Sequence, residues 1–241
     1  MLVGARFAPY FPGDLELARF IQRVAPAGDW SRAVTRAAYV PWVYGVLAVS
    51  AIAALRVATW RGAAAMIITF FAMMHGEHYI KDHIARPRPS ADLLAGGTQA
   101  ATMAMSGSAA PSYGMPSGWA LLFGASVGLL AVLAWRHTRG VARWSYVVGS
   151  AIVLIAGLTA RVSMGQHWPS DVIAGYLLAI TVGLALFELL GTLKGRGQRA
   201  KGTEGEREKR EGKRRQVSPS AFTLSPFAFR PLCPLPFALC P

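Results

Sequence analysis

The sequence predicts an all-α, polytopic membrane bundle of five to six transmembrane helices, and three observations predict it. Of the 241 residues, 53% are hydrophobic and only 15% are charged, whereas average soluble domains carry about 25% charged residues. The apolar residues are gathered into blocks of roughly 20 residues, the length a helix needs to cross a bilayer. Tryptophans at 42, 60, 119, 135, 144 and 168 lie near the ends of those blocks, as an interfacial aromatic belt requires.

The elements follow in order. Residues 1–38 hold no apolar core long enough for a signal peptide. Arg19, Arg23, Arg32 and Arg36 alternate with apolar residues there, which predicts an amphipathic segment lying in the membrane interface. An imperfect sixth span near 15–27 is the alternative. Five blocks then read as spans: 39–58, 62–80, 119–135, 144–162 and 171–191. Gly and Ala are frequent within them, and small residues let helix backbones approach closely in lipid. Residues 192–241 form a basic, Pro-rich tail expected to be disordered. Its last part, 219–241, is too rich in proline to span.

Charge sets the orientation. The formal net charge is +13, and residues 192–241 hold 11 Lys/Arg against 4 Asp/Glu. Arg136, Arg139 and Arg143 fill the short link between the third and fourth spans, and Arg56 and Arg61 flank the first turn. These segments fall on one side of an odd-numbered bundle, which makes that side cytoplasmic. The protein is thus expected to be a multi-pass protein of the plasma (inner) membrane. A basic tail beside a span signals cytoplasmic retention more simply than nucleic-acid binding. Cys233 and Cys240 give neither a disulfide framework nor a metal pattern.

Three clusters carry chemistry, all on the other, extracytoplasmic side. The first runs Lys81-Asp82-His83-Ile84-Ala85-Arg86-Pro87-Arg88-Pro89. Arginine offers forked donors matched to phosphate oxygens, and lysine adds a mobile point charge. A basic membrane anchor is the plainer reading, but positive residues are scarce on this side. The second is Pro116-Ser117-Gly118 before the third span. It reads as a helix start, and the free N–H groups and positive dipole there attract anions. The third is Arg161 followed by His167 and Asp171. A carboxylate four residues on can hold one imidazole nitrogen protonated and leave the other as a nucleophile. Singly, each cluster has an ordinary structural explanation. Together they supply cations, backbone donors and an oriented histidine on one face, which is most of what phosphoryl transfer needs.

The spacing Lys81-x6-Arg88-Pro89, then Pro116-Ser117-Gly118, then Arg161-x5-His167-x3-Asp171 resembles the three signature motifs of the type 2 phosphatidic acid phosphatase (PAP2) superfamily. The stretch 165–179, GQHWPSDVIAGYLLA, is similar to that family's third motif and following helix. The resemblance covers residues 39–191. It implies an integral membrane phosphatase acting on a lipid phosphate or diphosphate without metal or other cofactor. It also implies roles: His167 as nucleophile forming a phosphohistidine, Asp171 as its orienter, and Lys81, Arg88, Ser117, Gly118 and Arg161 as phosphate ligands. The related vanadate-dependent haloperoxidases share such a site but are soluble, and the apolar blocks exclude them.

Two positions depart from the family's pattern. The second motif ends in a histidine that serves as general acid, and here Trp119 stands in its place. Ala160 replaces a serine before Arg161. General acid catalysis contributes about 10²–10⁴-fold, and a phosphate leaves without a proton far more readily than an alkoxide. A lipid diphosphate, such as a polyprenyl diphosphate, is therefore the favoured substrate. The alternative is a catalytically impaired relative that binds a lipid phosphate or a partner. His83, or His75 with Glu77 and His78, could stand in for the missing acid. His75, His78 and Asp82 also share a helix face that would suit a weak metal site.

Overall fold

A computed structural model of the chain describes residues 10–90, 92–94 and 113–216. The described residues are helical or irregular, with no strand among them. Two units emerge, Met1–Lys194 and Gly195–Pro241, and the site lies in the first. The elements are α1 (Asp14–Val24), α2 (Asp29–Arg36), α3 (Trp42–Ile84), α4 (Gly118–His137), α5 (Gly140–Ser163) and α6 (Pro169–Gln216).

Four of these, α3, α4, α5 and the 169–193 part of α6, are long and apolar enough to cross a membrane. Helix α3 holds two of the spans read from the sequence. Its path breaks at Ala58 and Thr59, where φ reaches 64° at Thr59. The two arms then run back along each other. Tyr44 in the first meets Phe70 and Phe71 in the second, with ring centroids 6.4 and 6.5 Å apart. The described residues therefore supply four candidate spanning helices, the first of them folded back on itself. Helix α1 is no sixth span: its 11 residues reach only about 16 Å at 1.5 Å per residue.

Helix α4 is the central rod and the most buried of them. Its middle, Gly124–Gly128, is wound as a π-helix. A side chain at Gly124 would press on the backbone of Tyr176, and one at Gly175 would press on Ala120. These glycines let α4 and α6 lie backbone to backbone, which is how helices pack in lipid without a hydrophobic driving force. Val43, Leu47, Met66, Phe70, Leu121, Leu129, Leu133 and Phe187 fill the main core around α4.

Helices α1 and α2 lie against one end of this bundle. Gln22 donates to the carbonyls of Val162 and Ser163, and the Ser163 hydroxyl donates to the Ala25 carbonyl at 2.6 Å. Ala18 packs with Val162 and Trp168, while Leu17, Phe20, Val24 and Trp30 stay exposed. In α1 these exposed apolar side chains stand beside Glu16, Arg19 and Arg23, and in α2 Trp30 stands beside Asp29, Arg32 and Arg36.

In the second unit the described residues continue as helix to Gln216, where the sequence reading has an unstructured tail. Residues 195–216 are rich in Lys, Arg and Glu, which are good helix formers. The Pro- and Phe-rich end with Cys233 and Cys240 lies outside the described residues.

Candidate active site

The ends of α3, α4, α5 and α6 meet on the side where α1 and α2 pack. Helix α3 stops at Ala85, which takes a left-handed conformation (φ 52°) as its N–H closes onto the Lys81 carbonyl. Pro87 and Pro89 keep the chain from resuming a helix. The Ser117 N–H donates to the Asp171 carbonyl at 3.2 Å, which fixes the start of α4 beside the start of α6.

A cavity of about 230 Å³ opens there, lined by Tyr39, Glu77, Lys81, Arg88, Gly118, Trp119, Arg161 and Gln166 among others. Four of the seven site residues expected from the sequence, Lys81, Arg88, Gly118 and Arg161, line it. Ser117 is buried beside Gly118, with its hydroxyl unpartnered. The Arg161 Nε–H is likewise buried without a partner. Three cations and two unmet polar atoms suit an anion that brings several acceptor oxygens. Burial lowers the Arg88 pKa, and the charges of Asp171, Glu77 and Tyr39 act against that.

His167 lies just behind Arg161. Its Nδ1 is 2.8 Å from the Gly114 carbonyl, and its Nε2 is 2.9 Å from an Arg161 nitrogen. A carbonyl only accepts and a guanidinium only donates. The ring is therefore protonated on Nδ1 and carries its lone pair on Nε2, facing Arg161. Burial, then the positive charges of Arg161, Arg88 and Lys81, hold its pKa well below the ordinary 6.5. The imidazole is neutral at physiological pH, as a nucleophile must be.

Asp171 takes a different place from the one expected. Its Oδ2 is 3.8 Å from His167 Nδ1, too far for a hydrogen bond, and the Gly114 carbonyl fills that role instead. Asp171 Oδ2 accepts from the Trp168 N–H at 3.0 Å, and Oδ1 accepts from Arg86 at 2.6 Å. The carboxylate shapes the turn that carries His167 rather than gripping the ring.

Arg86 and Asp14 are the residues that sequence reasoning missed. Arg86 is fully buried and bonds to Asp14 (2.7 Å), Asp171 (2.6 Å) and the Ser170 hydroxyl (2.7 Å), with its guanidinium 4.4 Å over the Phe11 ring. Asp14 also accepts from the Ser170 N–H and hydroxyl. Burial works to raise the Asp14 pKa, but bonds from Ser170 and Arg86 outweigh it and hold the carboxyl below its usual 3.8. This network clamps α1 to the start of α6.

A profile of the PAP2 superfamily matches residues 58–194, more than half the chain and all three motifs. The chain belongs to the PAP2 superfamily. Its PAP2 fold is also similar to the crystal structure of the first transmembrane PAP2 type phosphatidylglycerolphosphate phosphatase from Bacillus subtilis. That match has a TM-score of 0.53 at 14% identity, over 79% of this chain and 92% of that one. A search of curated protein sequences finds no match.

Within this PAP2 protein, the second-motif position is given over to packing. Trp119 is buried and stacks on Phe123 at 3.8 Å, and its indole N–H donates to the Val34 carbonyl at 3.2 Å. Its ring fills the space over Gly157, where a side chain would collide with it. The candidate substitutes separate clearly. His83 is exposed, with its Nδ1 2.8 Å from the Tyr79 carbonyl. His75 and His78 are exposed as well. Among the described residues no three His, Cys, Asp or Glu side chains converge as metal ligands. Glu77 alone of these lines the cavity, paired with Lys81.

Proposed function

We propose that this PAP2 protein is a membrane lipid phosphatase that hydrolyses a lipid phosphate or diphosphate through a phosphohistidine on His167. The observation that carries the reading is the state of that imidazole. It is neutral, its Nδ1–H is held by the Gly114 carbonyl, and its Nε2 lone pair meets the guanidinium that would receive the phosphate. On substrate entry Arg161 turns to the phosphate oxygens and uncovers Nε2. Lys81, Arg88, Arg161 and the Ser117–Gly118 turn neutralise the charge that develops at phosphorus.

The membrane side follows from charge. The end of the bundle away from the cavity carries Arg61 on the Phe187 carbonyl and an Arg136–Glu188 pair at 2.6 Å, with Arg143 nearby. That basic end reads as cytoplasmic, so the cavity faces outward from the plasma membrane.

The substrate class follows from Trp119. With its N–H committed to Val34, it gives the leaving group no proton, and diphosphates such as a polyprenyl diphosphate are favoured. Phosphate release in detergent, from a polyprenyl diphosphate beside a phosphomonoester lipid, tests this. The diphosphate is expected to turn over faster, and equal or faster phosphomonoester turnover contradicts it. The same indole supports a second reading, a relative that binds a lipid phosphate but cleaves it poorly.

A further inference from the structure

The Glu77 carboxylate is seated in an unusual place. It pairs with Lys81 and also presses on Gly118, the first residue of α4, where any side chain would collide with both carboxylate oxygens. An ion pair with Lys81 alone, one helical turn away, needs no such reach. The start of α4 is where free N–H groups and the helix dipole attract an anion. Glu77 therefore lies against the start of α4 inside the cavity, beside Lys81, Arg88 and Arg161. It is the one carboxyl among the described residues lining that cavity.

We infer that Glu77 is the acid–base residue of this site, in place of the histidine missing at position 119. The inference rests on the phosphohistidine reading above. An entering phosphate brings negative charge next to the carboxylate and competes for Lys81. The carboxylate released from Lys81 takes the proton of the entering monoprotonated phosphate. His167 Nε2 then forms a bond to phosphorus while the bond to the leaving oxygen breaks. The electron pair of that bond stays on the leaving oxygen, which takes the Glu77 proton. In the second half, the Glu77 carboxylate removes a proton from water as the water oxygen attacks phosphorus. The N–P bond breaks, its electron pair returns to Nε2, and inorganic phosphate leaves with the proton that Glu77 took from water, which restores the carboxylate. Diphosphates remain the better substrates, because their leaving group draws least on the Glu77 proton.

Glu77→Gln keeps the shape and removes the proton chemistry. The full-length protein in detergent is given dodecyl phosphate, whose leaving group is poor, and p-nitrophenyl phosphate, whose leaving group is good. Turnover of dodecyl phosphate is expected to fall about 10²–10⁴-fold. With p-nitrophenyl phosphate the variant is expected to release a first burst of p-nitrophenolate and then stall, with acid-labile phosphate accumulating on His167. Glu77→Asp, which retains an acid, recovers part of the turnover. Equal losses on both substrates with no burst and no accumulated phosphohistidine would overturn the role of Glu77. A wild-type protein that turns over either substrate without ever labelling His167 would overturn the phosphohistidine reading beneath it.

Discussion

Arg86 and Arg88 stand two residues apart and belong to opposite kinds of environment. Arg86 sits between two carboxylates, Asp14 and Asp171, with Ser170 completing the set. Arg88 lines a cavity with Lys81 and Arg161, where Glu77 is the one carboxyl among the described lining residues. The first cluster is compensated from within the chain, and its bonds join α1 to α6. The second gathers three cations around open space, beside buried donors without partners at Ser117 and Arg161. Cations lining open space suit a bound anion, so on the proposed function the two neighbouring arginines serve architecture and chemistry respectively.

Substitutions can break that contrast. Arg86→Ala would leave Asp14 and Asp171 buried beside each other without their cation, and breaking a buried pair in this way costs about 3–5 kcal/mol. A large drop in Tm in detergent is expected, with or without phosphate present. Arg161→Ala should act on the other side of the contrast. It relieves repulsion among the three cations, so Tm should hold or rise, while catalysis loses about 2.7–4 kcal/mol of transition-state stabilisation. Steady-state kinetics beside a thermal melt separates the two. If Arg161→Ala unfolds the protein and Arg86→Ala does not, the assignment is reversed.

Gly157→Ala probes the wall rather than the charges. The added methyl meets the Trp119 ring, and overpacking of this kind costs about 1–3 kcal/mol. A lowered Tm is expected, relieved when Trp119→His is added, because the smaller ring clears the methyl. The smallest effect is on pH dependence. Asp14 is held below its usual 3.8 in the folded protein, so the folded form binds fewer protons than the unfolded one in acid. Its contribution is full above that value and is lost as pH falls through the lower, folded pKa. Tm followed from pH 6 down to pH 3 should fall less steeply in Asp14→Asn than in wild type.

The periodic features were legible in the sequence. Five apolar blocks, the proline stops after Lys81 and the helix start at Ser117 each depend on neighbours within a few residues. The resemblance to three family motifs grouped Lys81, Arg88, Gly118 and Arg161, and these four line one cavity. What the sequence hid depends on distant partners. Asp14 meets Arg86 across 72 positions, and no local pattern marks one acid among the arginines of the N-terminal segment. The Gly114 carbonyl that holds His167 is a backbone group and leaves no residue signature, so the nearby carboxylate of Asp171 was the natural candidate. Glu77 did carry a signal: it is an acid inside an apolar block four residues before Lys81, on one helix face with it. Its seat on Gly118 became visible only once α3 and α4 were side by side.

On the proposed function, the cavity with His167 behind Arg161 cleaves a phosphate ester or anhydride. Phosphate release from a polyprenyl diphosphate by the purified protein tests it most directly, with wild type, His167→Ala and Trp119→His side by side. Wild type is expected to release phosphate, and His167→Ala to lose about 10³-fold or more of that activity. Release undiminished by His167→Ala, or release seen only in Trp119→His and never in wild type, would contradict it.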